Sequence, residues 1–98
     1  MRVYRRIIRS KKNDRKGYTQ SLFLSGKEKI AQKVGEESVE VVIEAMKGEA
    51  GRLAHEVVDL LYHIAVLVEA CDAPWSQIEK VIRVRMQKGK KDENYSRK

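Results

Sequence analysis

Four acidic side chains near the middle of the chain have a spacing that could bind a metal ion. Residues three apart share a helix face, so Glu37 pairs with Glu40 and Glu56 pairs with Asp59. If the chain reverses at Gly48, position 40 lies level with 56, and position 37 lies level with 59. Carboxylates held this close raise one another's pKa, whereas a hard divalent cation prefers oxygen ligands. The pattern therefore predicts a Mg²⁺ or Mn²⁺ site between two antiparallel helices.

An acid-rich helix face is often only a solvated surface, and the surrounding residues decide between the two interpretations. Glu56 and Asp59 lie in an otherwise apolar segment, where a carboxylate without a partner would be costly. The lysines Lys33 and Lys47 lie towards the ends of the predicted hairpin, so they do not neutralise its centre. These observations favour a cation site.

Other site chemistries fit the sequence less well. His55 and Glu56 begin like a zinc-binding helix, but the second histidine of that motif is absent. Cys71 has no neighbouring histidine that would activate its thiol, and the sequence contains no glycine-rich phosphate loop of the Walker type. Phosphates would therefore have to be held by the metal and by side chains.

The elements that position these acids are predicted to be helices throughout, which makes the fold class all-α. Proline occurs once and alternating β-type patterns are rare. Helices are predicted at about 3–12, 27–47, 52–70 and 74–87, with a short apolar segment at 18–24. Gly48 is predicted to take the left-handed position that ends a helix. Ser25, with Glu28 three residues later, is predicted to cap the second of these helices, and Asp72 to cap the last.

Size and composition predict one domain, a single helical unit at residues 1–88 followed by a basic, disordered tail at residues 89–98. The chain has 98 residues, a net charge of +7 and one cysteine. No apolar run reaches the roughly 20 residues needed to cross a membrane. We therefore expect a reduced, cytoplasmic protein without membrane partners.

The positive charge lies mainly at the two ends, and the middle of the chain carries an excess of acids. This distribution could serve nucleic-acid binding, or it could attract a small polyanionic substrate to a metal-loaded centre. A domain of this size is also short of a comfortably self-sufficient core, which favours a partner subunit.

Two segments carry a resemblance to a known family. The sequence KIAQKVGEESVE at 29–40 and the sequence EVVDLLYH at 56–63 resemble the phosphoribosyl-ATP pyrophosphohydrolase family of histidine biosynthesis. The similarity extends over about residues 18–87 and includes Tyr18 and Thr19. The broader MazG-like pyrophosphohydrolases share only the Glu-Glu-x-x-Glu and Glu-x-x-Asp parts. The residues around those acids favour the histidine-pathway branch.

The resemblance implies a MazG-like helical bundle completed by dimerisation, with the active sites near the subunit boundary. It implies Mg²⁺-dependent hydrolysis of phosphoribosyl-ATP to phosphoribosyl-AMP and pyrophosphate by a homodimer. The residues that match the metal-binding acids of the family are Glu37, Glu40, Glu56 and Asp59. The remaining matches are Glu36, as the base or a second metal contact, and Lys29 and Lys33, as phosphate-binding side chains.

Two other functions compete with this interpretation. One is a MazG-like enzyme that acts on other nucleoside triphosphates. The other is a non-catalytic basic helical module that binds nucleic acid, which the acidic motifs make the weaker alternative. No nucleic-acid partner is therefore expected. Substitution of Glu37 or Asp59 would abolish turnover in an enzyme and leave a nucleic-acid-binding module unaffected.

Overall fold

The computed structural model describes residues 2–12 and 17–91, and within them the chain forms five α-helices and no β-strand. The helices are α1 (Arg2–Lys11), α2 (Tyr18–Ser25), α3 (Lys27–Lys47), α4 (Ala50–Ala70) and α5 (Trp75–Lys91). The all-α prediction is confirmed. None of the helices in these parts of the chain is both long enough and apolar enough to cross a membrane.

Helices α3 and α4 form a tight hairpin, which is the main packing unit of the chain. Gly48 ends α3 with φ 77° and ψ 17°, and its N–H donates to the carbonyl of Glu44. The left-handed backbone conformation at this position favours glycine, because glycine has no Cβ atom to clash with the backbone. Glu49 then caps α4, and its side chain accepts hydrogen bonds from the N–H groups of Gly51 and Arg52. The predicted turn at Gly48 is confirmed.

Two predicted helix caps are wrong. Gly26, with φ 95°, takes the N-cap position of α3, while the Ser25 hydroxyl donates to the carbonyl of Leu22 at 2.7 Å. Asp72 belongs to the end of α4 instead of the start of α5. It has φ 56°, its N–H bonds to Glu69 O and the next N–H bonds to Val68 O, which is the pattern of a Schellman motif.

The core lies where α1, α2 and the start of α5 pack against the open end of the hairpin. Glu69 of α4 joins these elements, because its carboxylate accepts from Trp75 Nε1 at 3.1 Å and pairs with Arg9 Nε at 3.3 Å. The buried apolar residues are Ile8, Leu22, Ile30, Ala65, Val66 and Trp75.

Beyond its first turns, α5 makes little contact with the other helices. Trp75 and Ile78 pack on the core, whereas Val81 and Ile82 are 44% and 48% exposed. The helix continues to Lys91, past its predicted end near residue 87. Of the predicted tail at 89–98, residues 92–98 lie outside the described part of the chain.

The chain is more extended than a closed domain of its size. Its radius of gyration is 15.9 Å, against about 13 Å for a compact domain of 100 residues. Large apolar side chains are exposed along the hairpin, namely Val39, Val42, Ile43, Met46 and Val58. A single chain therefore leaves much of its apolar surface in contact with solvent.

Candidate metal centre

Three of the four predicted metal ligands converge between α3 and α4. One carboxylate oxygen from each of Glu37, Glu56 and Asp59 lies within 4.8 Å of the other two. Glu37 and Glu56 are half-buried, and Asp59 is exposed. The group is thus open to solvent on one side and enclosed by the helix pair on the other.

The cluster concentrates negative charge at Glu56. Partial burial and the neighbouring carboxylates raise the pKa of Glu56 above its ordinary value, with Glu37 and Asp59 the strongest of those neighbours and Glu40 and Glu44 adding to them. Such crowding disfavours the ionised state until a cation shares the oxygens. The site geometry and the site charge both favour binding of a positive ion.

The ligand chemistry fits a hard divalent cation. All three groups offer carboxylate oxygen, which Mg²⁺ and Ca²⁺ prefer, and Mn²⁺ also accepts. Adjacent oxygens around Mg²⁺ lie roughly 3 Å apart, and the three oxygens here already lie within 4.8 Å of one another. Small side-chain movements would therefore suffice to bring the three oxygens onto one ion.

Glu40 is exposed and does not belong to this close group, whereas Glu44 is buried. Helix geometry explains the difference. Residues seven apart project within about 20° of each other, and residues three apart differ by about 60°. Glu44 therefore points in nearly the same direction as Glu37, towards α4, while Glu40 points to one side. The charge of Glu40 still acts on Glu56.

Glu44 is the acid that the predicted ligand set omits. Its residue exposure is 8%, and its Oε1 atom is buried without a hydrogen-bond partner. The only ion pair it forms with another described residue is a weak one, with Lys47 Nζ at 3.8 Å from Oε2. The sequence signal was present, since Glu44 extends the acidic run on α3.

The other predicted site residues lie on α3 but outside the close carboxylate group. Glu36 is exposed, and its carboxylate accepts a hydrogen bond from Gln32 Nε2 at 3.0 Å. Lys29 is exposed and Lys33 is half-buried, and neither forms an ion pair with another described residue. Their roles stay predictions.

A layer of aromatic and polar side chains lies next to the carboxylates. His63 is buried, with Nδ1 at 2.8 Å from the carbonyl oxygen of Asp59 and Nε2 at 2.9 Å from the hydroxyl of Tyr18. Tyr62 bonds to the buried Thr19 on the same side. The hydrogen bonds of the buried His63 thus join α2 to α4.

Comparison with known proteins identifies the family. The sequence profile of the phosphoribosyl-ATP pyrophosphohydrolase family matches residues 1–86. A phosphoribosyl-ATP pyrophosphatase from Cereibacter sphaeroides is 43% identical over 68 residues, which cover 69% of this chain and 66% of that protein.

Two longer relatives are histidine biosynthesis bifunctional proteins called HisIE. The protein from Staphylococcus epidermidis is 43% identical over 79 residues, covering 81% of this chain and 37% of its own length. The protein from Staphylococcus aureus is 46% identical over 76 residues, covering 78% of this chain and 36% of its own length. This chain thus spans about a third of the length of these two relatives. It belongs to the phosphoribosyl-ATP pyrophosphohydrolase family.

Proposed function

We propose that this chain hydrolyses phosphoribosyl-ATP to phosphoribosyl-AMP and pyrophosphate in histidine biosynthesis, in the reduced cytoplasm and with Mg²⁺ as its cofactor. The observation that carries the proposal is the convergence of Glu37, Glu56 and Asp59 from two helices. Family membership supports the substrate, because one relative is named for the same reaction and others are named for the same pathway.

The three converging carboxylates would hold the cation, and Glu40 would complete the set by a change of rotamer. When bound, Mg²⁺ supplies positive charge to the triphosphate oxygens and lowers the pKa of water. Lys29 and Lys33, which lie one turn apart on α3, would hold phosphate oxygens as point charges. These groups together orient the triphosphate next to the acidic cluster.

Glu36 is the proposed base that accepts a proton from the attacking water. Its carboxylate bonds to Gln32, so this role requires it to leave that contact when substrate binds. The substitution Glu36→Gln tests the role, because it keeps the size of the side chain and removes the basic oxygen. Turnover should fall by about 100-fold with little change in KM. An unchanged kcat would assign the proton transfer to another carboxylate.

The decisive assay measures pyrophosphate release by the purified protein with Mg²⁺. Phosphoribosyl-ATP should be hydrolysed far faster than ATP, dUTP or dCTP, and EDTA should abolish the activity. Equal or reversed rates would point to a MazG-like enzyme with another substrate and would leave the metal site intact.

The active form is proposed to be a homodimer. The exposed valines, isoleucine and methionine of the hairpin and the unpacked apolar side of α5 are surfaces that a second copy would cover. The extended shape of one chain supports this arrangement. A dimer would supply the apolar burial that a chain of this size lacks.

A further inference from the structure

Tyr18 is an exposed aromatic residue next to the acidic cluster, and its position is set by α4. Its hydroxyl lies 2.9 Å from Nε2 of His63, which follows Asp59 by one helical turn. Partial burial, followed by the neighbouring Tyr62 and the negative charges of Glu37 and Asp59, raises the pKa of the Tyr18 hydroxyl. The hydrogen bonds from Tyr18 to His63 and from His63 to the backbone of Asp59 place the ring beside the acidic cluster.

The hydrogen bonds around His63 have a defined direction. The carbonyl oxygen of Asp59 can only accept, so Nδ1 of His63 carries the hydrogen and donates at 2.8 Å. In the neutral imidazole this leaves Nε2 as an acceptor, and the Tyr18 hydroxyl donates to it. Because His63 is buried, the tyrosine hydroxyl is attached to a fixed point in α4.

The ring itself is held from a second side. It stacks on Tyr62 with centroids 6.3 Å apart and an interplanar angle of 24°. The His63 ring is nearly perpendicular to it, at 86°, with centroids 5.9 Å apart. Despite these contacts, Tyr18 is 52% exposed. A rigid aromatic surface open to solvent loses little conformational entropy when a flat ligand packs on it.

We propose that the exposed surface of Tyr18 stacks on the base of the nucleotide whose phosphates are bound at the acidic cluster. His63 is a positioning residue, which orients the tyrosine ring by accepting its hydroxyl hydrogen. This stacking contact rests on the proposed function, because it requires a nucleotide substrate. It adds a specificity-determining contact that the carboxylates and lysines cannot provide, because they recognise only phosphate and metal.

The test compares a ligand that has a base with one that has none. Tyr18→Leu removes the aromatic ring, and Tyr18→Phe keeps the ring but loses the hydroxyl. KM for phosphoribosyl-ATP and the inhibition constant of Mg²⁺-tripolyphosphate are measured for both variants. Melting temperatures identify any variant that fails to fold.

Tyr18→Leu should raise KM about tenfold, as expected for loss of one base–aromatic stack, and should leave the tripolyphosphate constant unchanged. Tyr18→Phe should raise KM by a smaller factor. An unchanged KM in Tyr18→Leu would overturn the proposal. Equal weakening of both ligands would also overturn it, because that result would describe general damage to the site.

His63 is tested by a conservative pair of variants. His63→Gln keeps an acceptor for the tyrosine hydroxyl, whereas His63→Leu does not. The glutamine variant should retain a KM closer to that of the wild type, again with no change for tripolyphosphate. Identical effects of the two variants on KM would overturn the positioning role.

Hydrolysis of phosphoribosyl-ATP and stacking on Tyr18 are tested by separate measurements. A wild-type protein that does not hydrolyse phosphoribosyl-ATP would refute the function. The stacking contact would then be measured by calorimetric binding of ATP and of tripolyphosphate, each with Mg²⁺. Weaker ATP binding by Tyr18→Leu alone would still support the contact, and equal ATP affinity of variant and wild type would overturn it.

Discussion

The carboxylates that form the candidate metal site also destabilise the protein by repelling one another. Glu37, Glu56 and Asp59 are close enough to repel one another when ionised. The described part of the chain places no lysine or arginine in ion-pair contact with any of the three. The metal-free protein is therefore strained electrostatically at neutral pH, and a bound cation reverses the sign of that contribution.

Asp59→Asn and Glu37→Gln should each lower kcat/KM by about 100-fold or more, since a catalytic divalent cation contributes several kcal/mol to the transition state. The fold should be retained, because each change removes a repelling charge. The measurement is steady-state pyrophosphate release together with thermal melting. Glu28→Gln, an exposed acid at the start of α3, is the matched control and should behave as wild type. Full activity of both site variants would contradict the metal centre.

The raised pKa of Glu56 leads us to expect that the thermal stability of the metal-free protein depends on pH. A carboxylate whose pKa is higher in the folded state binds more protons there, so it favours folding at low pH. That contribution is lost as pH rises through the raised pKa. In EDTA, Glu56→Gln should therefore melt at a higher temperature than wild type at pH 7, and the difference should shrink as pH falls towards 4. A wild type more stable than the variant at pH 7 in EDTA would contradict the repulsion.

Addition of Mg²⁺ should reverse this ranking. A cation that binds only the folded state stabilises it by about 2.7 kcal/mol at a concentration 100-fold above its Kd. Wild-type melting temperature should rise with added Mg²⁺, whereas that of Glu56→Gln should rise much less. Equal responses of the two proteins would show that the ion binds elsewhere.

At the scale of elements, the hairpin turn keeps the two acidic pairs level. Gly48 supplies the left-handed residue that ends α3, and the Glu49 carboxylate holds the first N–H groups of α4. The Gly48 conformation and the Glu49 cap are both local, because each involves residues no more than four positions apart in the sequence. They set the register of α3 against α4, and with it the spacing of Glu37 and Asp59.

Two glycine substitutions should have opposite effects on stability. Gly48→Ala places a Cβ on a residue with φ 77° and should cost about 1 kcal/mol. Gly35→Ala lies within α3 where an added Cβ meets no atom within 4 Å, so it should stabilise by up to about 1 kcal/mol through helix propensity. Urea unfolding measures both. Stabilisation by Gly48→Ala would contradict the turn geometry.

At the scale of the molecule, a single chain leaves many large apolar side chains uncovered. The described part of α5 beyond its first turns and the outer side of the hairpin expose apolar side chains. The chain measures 49 × 35 × 23 Å along its principal axes. The proposed association of two copies would bury these surfaces.

Val42→Lys should shift the proposed homodimer towards the monomer, because a charged side chain placed in an apolar interface loses its hydration. Val42 is 59% exposed in the single chain, so the substitution should leave the folding of each protomer largely intact. Light scattering coupled to size-exclusion chromatography measures the mass. Val42→Ile, which keeps the position apolar, is the control and should stay dimeric. A wild type that elutes as a monomer at high concentration would refute the dimer.

The sequence by itself determined the helices, the hairpin and the family. Helix periodicity, the glycine at position 48 and the motif spacing are local features, so α3 is found at its predicted bounds, Lys27–Lys47. The caps predicted at Ser25 and Asp72 were wrong because several nearby residues could serve, and backbone geometry chose among them.

Only the tertiary structure decided which acids face each other. The rotation of α3 about its axis turned Glu44 inwards and Glu40 outwards, and that rotation depends on packing along the whole helix. The contact between Tyr18 and His63 joins residues 45 positions apart. No local pattern encodes such a contact, because it exists only once α2 has packed against α4.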